Sequence, residues 1–369
     1  MAQATRALEN DFQTLHEFVK AARMKLPAPT WDYLVGGVET ETTLRRNRMA
    51  IDALAFRPRV LRNVASVDPS GRLFDKPLRI PVLLAPVGGL ESFEPGGGST
   101  VARAVHEFGT AMLISSASGP GLEETAAAAP GRKIFQLYVR GDQAWCDDVM
   151  QRAADSGYEA FCLTVDTAHY SRRERDIAKR VVHPWRARAT GREFQAALDW
   201  DQVVRFKERL RMPLILKGIA TAEDAELACE HGVDGVYVSN HGGRQLDHAL
   251  GSIEVLPEVV QAVRGRAQII VDGGFSRGSD VVKALILGAD AVAVGRLYCY
   301  ALASAGAVGI TRLLEILEDE IVCSLALLGV QCFAELDGSY LQQAQAVVPP
   351  HVHSAFPLLN LEDPGYGGR

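Results

Sequence analysis

The stretch VSNHGGRQLD (238–247) sets an imidazole, His241, and a guanidinium, Arg244, three residues apart on a glycine-rich turn. Asparagine and glycine are enough to build a turn, so histidine and arginine ask for another explanation. An unperturbed imidazole titrates near pH 6.5, which suits His241 to proton abstraction at neutral pH. A guanidinium forks onto a carboxylate through two parallel hydrogen bonds, which suits Arg244 to an anionic substrate. Other residues extend this chemistry. Asp166, in LTVDT, can orient the imidazole and stabilise its charged form. Arg173 is a second carboxylate clamp or, within the charge run RRERDIAKR (172–180), part of a solvated helix face. Lys217, in PLILKG, fits three roles: a Schiff-base amine, a phosphate ligand, or a charge beside a cofactor. The loops DGGFSRG (272–278) and VGR (294–296) offer backbone N–H groups to an anion, with Arg277 and Arg296 supplying charge.

Such scattered groups need a frame that brings them together. Eight short apolar runs recur along the chain, at 78–86, 110–116, 133–139, 160–166, 213–218, 235–240, 268–274 and 291–295. Near-continuous runs of this kind suit strands buried on both faces in a parallel sheet. Helical patterns separate them, several ending in glycine. The alternation predicts one (β/α)8 barrel over 76–345, in which the active site lies at the C-terminal ends of the strands. Ala85, Pro86, Ser115, Gln136, Tyr138, Thr164, Asp166, Lys217, His241, Asp272, Gly274, Gly295 and Arg296 all fall there, while the strand interiors stay apolar. The rival, a doubly wound open sheet, lacks its dinucleotide fingerprint: GPGLEE (119–124) keeps two of the glycines and follows the second strand. A helical lead-in over 1–75 presents Phe12, Leu15, Phe18, Val19 and Ala22 on one face. A last helix is expected near 308–329, and the Pro/Gly-rich 346–369 reads as an extended tail.

Bulk properties narrow the partners. The 369 residues are 47% hydrophobic and 23% charged with a net charge of −6, which argues against nucleic acid as a partner. No run of eighteen apolar residues predicts a membrane span, and the N-terminal stretch lacks a secretory pattern. Six isolated cysteines, with no C-x-x-C pair, fit a reducing cytoplasm and suggest neither zinc nor disulfides; no metal site is expected.

SNHGGRQLD, together with WDYLVGG, FRPRVL, FQLYV, LTVDT, RRERDI, LKG and DGGFSRGSDVVKALILGA in that family's order, resembles the FMN-dependent 2-hydroxy acid oxidases and dehydrogenases over about residues 15–340. The resemblance implies a flavoprotein that oxidises an L-(S)-2-hydroxy acid to a 2-oxo acid with FMN as cofactor. It makes His241 the base and Asp166 its partner. Arg173 and Arg244, helped by Tyr33, become the carboxylate clamp, and Tyr138 the group near the substrate hydroxyl. Lys217 is placed beside the flavin N1 and O2. Ser115, Gln136 and Thr164 become flavin-edge contacts. Asp272, Arg277, Gly295 and Arg296 become the ribityl and phosphate site, and Ala85, Pro86, Val87, Gly88, Ser239 and Gly274 further cofactor contacts. The resemblance also implies a homo-oligomer, a tetramer as in the family.

Three departures stand out. APVGGLESFEPGGG (85–98) replaces the family's usual A-P-T/V-A and H-P-E-G run. Ala117 stands where glycolate oxidase-like members carry tryptophan, and the segment 180–200 is short. Ala117, with Tyr170 as an aromatic surface and a more open entrance, predicts a bulky or aromatic substrate of the mandelate kind. Without a haem-attachment motif, O2 is the expected acceptor, with a soluble carrier or quinone as the alternative. A Lys217 Schiff-base aldolase on the same barrel, and a non-catalytic flavin-binding scaffold, are the other readings.

Overall fold

The computed structural model describes residues 11–187 and 190–360. Three helices lead in: α1 (Leu15–Lys25), α2 (Ala28–Val35) and α3 (Thr42–Asp52). Leu15, Phe18, Val19 and Ala22 recur at helical spacing and are all buried, while Phe12 precedes the helix and stacks on Phe18 at 4.2 Å. The lead-in is not wholly helical, as the sequence pattern suggested. Strand β1 (Leu54–Phe56) pairs antiparallel with Leu341–Gln343, and a hairpin, β2 (Gly71–Leu73) and β3 (Lys76–Leu78), crosses the expected boundary at 75. Each of these strands is three residues long, too short to show a period of two.

Eight parallel strands follow in chain order: β4 (Val82–Leu84), β5 (Ala111–Ser115), β6 (Arg132–Leu137), β7 (Ala160–Thr164), β8 (Leu214–Ile219), β9 (Gly235–Val238), β10 (Gln268–Val271) and β11 (Ala291–Val294). Each pairs with the next, and β11 pairs with β4, closing the barrel. Six lie within the expected runs, β6 begins one residue before its run and β8 ends one residue after its own, and helices separate them. Alternate residues point inward. Leu83, Leu113, Ile134, Cys162, Ile215, Tyr237 and Ile270 fill the interior with the hairpin residues Leu73, Phe74 and Leu78. The hairpin closes the N-terminal end, where the Phe74 N–H donates to Gln268 Oε1 at the start of β10.

Two steps along several of these strands the inward positions turn polar. Ser115, Gln136, Thr164, Lys217, Ser239 and Asp272 form a buried layer at the C-terminal end. The same register carries on to Tyr138, Asp166, His241 and Gly274 in the loops above.

After β11 the chain enters a helix at once, Arg296–Leu328, rather than near 308; Ala305 and Gly306 interrupt it with non-helical backbone. By length and composition alone this helix is long and apolar enough to cross a membrane, and 67% of its apolar window is buried within the molecule, as in a core helix. The terminal segment is not simply extended. Past Leu341–Gln343 it folds back, burying Phe356 and setting His353 against the rings of Trp31 and Tyr300. Residues 361–369 of the expected tail lie outside the described residues.

Candidate active site

The turn after β9 is built by its asparagine and glycines. Asn240 Oδ1 accepts from the Gly243 N–H at 3.1 Å and from Asn47 Nδ2 at 2.9 Å, tying the turn to α3. Gly243 has φ +73, and a Cβ there would lie 2.4 Å from the Leu44 nitrogen, so the lead-in can approach only a glycine. His241 itself is left-handed at φ +59, an uncommon conformation for a residue with a side chain. Its backbone N–H donates to Ser239 Oγ at 3.1 Å.

That conformation sends the imidazole between two partners. Nδ1 faces both Asp166 oxygens at 3.1 and 3.2 Å, and Nε2 meets the Tyr138 hydroxyl at 3.1 Å. A carboxylate on Nδ1 keeps the proton there and leaves Nε2 as the basic nitrogen. Burial draws the imidazole below its ordinary value, and the nearby Lys217 and Arg173 charges add to this against the pull of Asp166. Burial would raise Asp166, but His241 and Lys217 hold it below the usual carboxylate range. The pair is therefore a carboxylate and a neutral imidazole, the state a base requires.

Arg173 and Arg244 face the same space. Their guanidinium carbons lie 5.8 and 4.7 Å from the Tyr33 ring, and Tyr33 donates to the Gly88 carbonyl at 2.9 Å. Arg244 Nη1 donates to the carbonyls of Tyr33 and Gly36 at 2.7 and 2.8 Å. Burial first, then the Arg173 charge, lowers the Arg244 guanidinium well below its ordinary value. Among the described residues neither arginine has a carboxylate in ion-pair range, so an incoming carboxylate relieves both. Behind them Asp176 bonds His183 Nε2 at 3.3 Å, a buried pair that sequence reasoning missed because Asp176 sits within an ordinary-looking charge run and His183 just beyond it.

Below lies the polar layer. Lys217 Nζ donates to Ser239 Oγ at 2.9 Å and lies 3.6 Å from Asp272. Burial alone would depress it, but Asp272 and Asp166 reverse that and keep it charged. A Schiff-base lysine must act as a neutral amine, so this setting suits a fixed charge beside a cofactor instead. Gln136 Nε2 donates to Thr164 Oγ1 at 2.8 Å, while Oε1 is buried with no partner. Buried amide oxygens are almost always paired, and an N–H at the polar edge of a flavin would supply that partner. Ser115 Oγ accepts from the Ala117 N–H at 3.2 Å.

Arg296 is half-buried and donates to the carbonyls of Leu34, Gly36 and Gly242 at 3.1, 2.9 and 2.9 Å. Burial lowers its guanidinium below the ordinary value, since these contacts include no carboxylate. Beside the Gly273–Gly274 and Gly295 loops it fits a phosphate. Arg277 does not line this site, against expectation. It precedes the helix Gly278–Ile286 and ion-pairs with Glu320 on the last helix, and Ser276 lines the cavity in its stead.

A cavity of about 850 Å3 joins these groups. Tyr33, Tyr138, Arg173, His241, Arg244 and Lys217 line it, as do Ala85, Pro86, Val87, Gly88, Asp272, Gly274, Gly295, Arg296, Ala117 and Tyr170. Asp166, Ser115, Gln136, Thr164 and Ser239 support it from within the barrel. The sequence matches the family described as FMN-dependent dehydrogenase over residues 22–343. The chain belongs to this family. Glycolate oxidase 1 of Zea mays is 38% identical over 88% of this chain and 94% of its own, and the glycolate oxidase of Spinacia oleracea is 35% identical over 90% and 96%. A solved mandelate oxidase with (S)-2-phenylpropionate is 39% identical, covering 91% of this chain and 99% of its own at a TM-score of 0.84. The protein is thus an FMN-dependent oxidoreductase of the 2-hydroxy acid oxidase family, and the buried lysine, the unpaired amide and the glycine loops with Arg296 are the residues that fit FMN.

The segment 180–200, expected to leave the entrance more open, contributes Arg186, Thr190, Arg192 and Glu193 to the cavity lining, none of which the sequence marked. Gln195 pins the segment: its Oε1 accepts from the Val139 N–H at 2.7 Å and its Nε2 donates to the Thr164 carbonyl at 2.8 Å. A glutamine in a polar stretch carries no signal of such a role. Val352, from the terminal segment, also reaches the cavity and was equally unmarked.

Proposed function

We propose that the protein oxidises an (S)-2-hydroxy acid with a bulky or aromatic side chain to the 2-oxo acid and passes the electrons to O2. The observation that carries this reading is the Asp166–His241–Tyr138 chain opening into a cavity that two carboxylate-free arginines share. Bound FMN supplies the two-electron oxidant. Arg173 and Arg244 grip the α-carboxylate and fix the α-carbon against rotation. Nε2 of His241 takes the proton, and the imidazolium so formed rests on Asp166. Tyr138 marks where a substrate hydroxyl meets Nε2. Lys217 holds its positive charge under the site throughout.

Ala117 supports the larger side chain. A Cβ built on Gly88 would lie 3.4 Å from the Ala117 Cβ, so two of the smallest residues adjoin in the cavity wall. The oxidase names of the relatives, and the absence of a haem-attachment motif in the sequence, support O2. In the balanced reaction the acid loses its α-hydrogen and hydroxyl hydrogen, and O2 leaves as H2O2. Anaerobic (S)-mandelate should bleach the bound flavin, and air should restore it with one H2O2 per 2-oxo acid. No bleaching with any 2-hydroxy acid sinks the reaction. Bleaching without peroxide on admitting air sinks only the acceptor. A kcat/KM for glycolate above that for (S)-mandelate and for 2-hydroxyoctanoate sinks the bulky side chain.

A further inference from the structure

Three guanidiniums that this chemistry does not use gather on one ring at the cavity mouth. Those of Arg192, Arg186 and Arg140 lie 4.0, 5.2 and 5.7 Å from the centre of the Tyr170 ring, and Arg140 Nη2 donates to the Tyr170 hydroxyl at 2.9 Å. All four residues line the same cavity as His241. The group is fixed in place. Gly191, just before Arg192, is left-handed at φ +65, and a Cβ there would lie 2.0 Å from the Arg140 carbonyl oxygen, so the two backbones are in direct contact. Gln195, three residues beyond Arg192, pins the same segment to the loop after β6 and to β7. Among the described residues no carboxylate forms an ion pair with any of the three, although Glu193 lines the same cavity. Arg186 is lowered from its ordinary value by burial and by the neighbouring Arg173 charge.

We propose that Arg140, Arg186 and Arg192 around Tyr170 form a second anion subsite, and that the substrate is a 2-hydroxy acid whose side chain ends in a carboxylate. This rests on the 2-hydroxy acid reading above and makes its bulky side chain an acid-ended one instead of an aromatic one. Like charges held together cost free energy that a second carboxylate recovers, and planar guanidinium forks match carboxylate geometry. Arg140 links the two ends of the site: it lies 6.0 Å from the ring of Tyr138, whose hydroxyl meets His241. The α-carboxylate then sits on Arg173 and Arg244, and the distal one at the mouth. The simpler role for such arginines is a diffuse field that draws in any anion. The two differ in one respect: a fixed subsite selects chain length, whereas a field does not.

The test compares (S)-2-hydroxysuccinate, (S)-2-hydroxyglutarate and (S)-2-hydroxyadipate, each beside its ω-amide, on the flavin-loaded enzyme. At one chain length the diacid should exceed its amide in kcat/KM by about tenfold or more at low salt, and the advantage should shrink as salt rises. Arg192→Gln and Arg140→Gln should each pull that ratio toward one. Diacids no better than amides at every length overturn the subsite, and so does an equal advantage at every length. If the variants fail to fold, the unsubstituted enzyme's series still decides. (S)-2-Hydroxyhexanoate separates the two readings: if it bleaches the flavin and no diacid is preferred, only the subsite falls. If no hydroxy acid bleaches it, the oxidation reading falls. The subsite then stands or falls on whether glutarate perturbs the flavin spectrum at lower concentration than butyrate.

Discussion

The two sides of the cavity are made differently. On one side, Tyr138, Asp166, Lys217 and His241 stand on or just beyond barrel strands, buried or half-buried, and each is tied to a partner within the site. On the other, Tyr170, Arg186 and Arg192 come from the insertion between β7 and β8, where the helices Glu174–Ala178, Pro184–Ala187 and Arg192–Ala196 are four or five residues long. Helices so short have little stability of their own and hold their place by anchors such as Gln195. The strand side sets the chemistry, and the inserted side sets what is brought to it.

Substitutions on the strand side should produce the largest effects. His241→Ala should leave FMN bound and lower the rate of flavin reduction by about 10²–10⁴-fold in stopped-flow measurement. A rate within about threefold of the parent would put the base elsewhere. Arg244→Lys should lower kcat/KM by about 10- to 100-fold, because a point charge cannot replace the fork that also holds the carbonyls of Tyr33 and Gly36. Unchanged kinetics for every tested acid would remove Arg244 from the clamp.

Acidity should act on the same side. His241 must be neutral to accept a proton, and its value is drawn below 6.5. The profile of kcat/KM should therefore be flat around neutrality and fall by roughly tenfold per pH unit only below that depressed value. Folding stability should fall in the same direction, since the unfolded chain takes up the imidazole proton first as pH drops through 6.5. An activity midpoint above 6.5 would contradict this electrostatic account. The smallest effect should come from the inserted side. Gln195→Ala leaves the buried Val139 N–H and Thr164 carbonyl without a partner and should cost about 1–3 kcal/mol of stability in denaturant titration. Glycolate, too small to reach the wall, should keep its kcat/KM within about twofold (an energy below one such hydrogen bond), while larger acids lose selectivity. A much larger loss with glycolate would show that the two sides are not separable.

The same division governs what could be read from the sequence. A near-continuous apolar run that ends in polar residues marks Gln136, Thr164, Lys217 and Asp272, because the C-terminal ends of barrel strands open onto the site. Beyond the strand ends no period helps. In DGGFSRG, Ser276 and Arg277 are adjacent, and only the helix start that turns Arg277 to Glu320 decides between them. Arg192 and Gln195 look like any polar loop until the fold brings them to Tyr170 and to Val139 after β6. The hairpin of three-residue strands was hidden by its length, and the start of the last helix at Arg296 by the strand-like apolar run before it.

The pairing of Leu54–Phe56 with Leu341–Gln343 has a consequence for biosynthesis. The cavity wall takes Leu34, Leu44 and Arg48 from near the start of the chain and Val352 from near its end, with His353 locked against Trp31 and Tyr300. A chain growing from the ribosome has the first helices long before it has the residues that finish the wall around the cofactor. The complete lining of the cavity therefore forms only after residue 352 has been made, and the flavin that binds it then adds its binding energy to the completed fold alone.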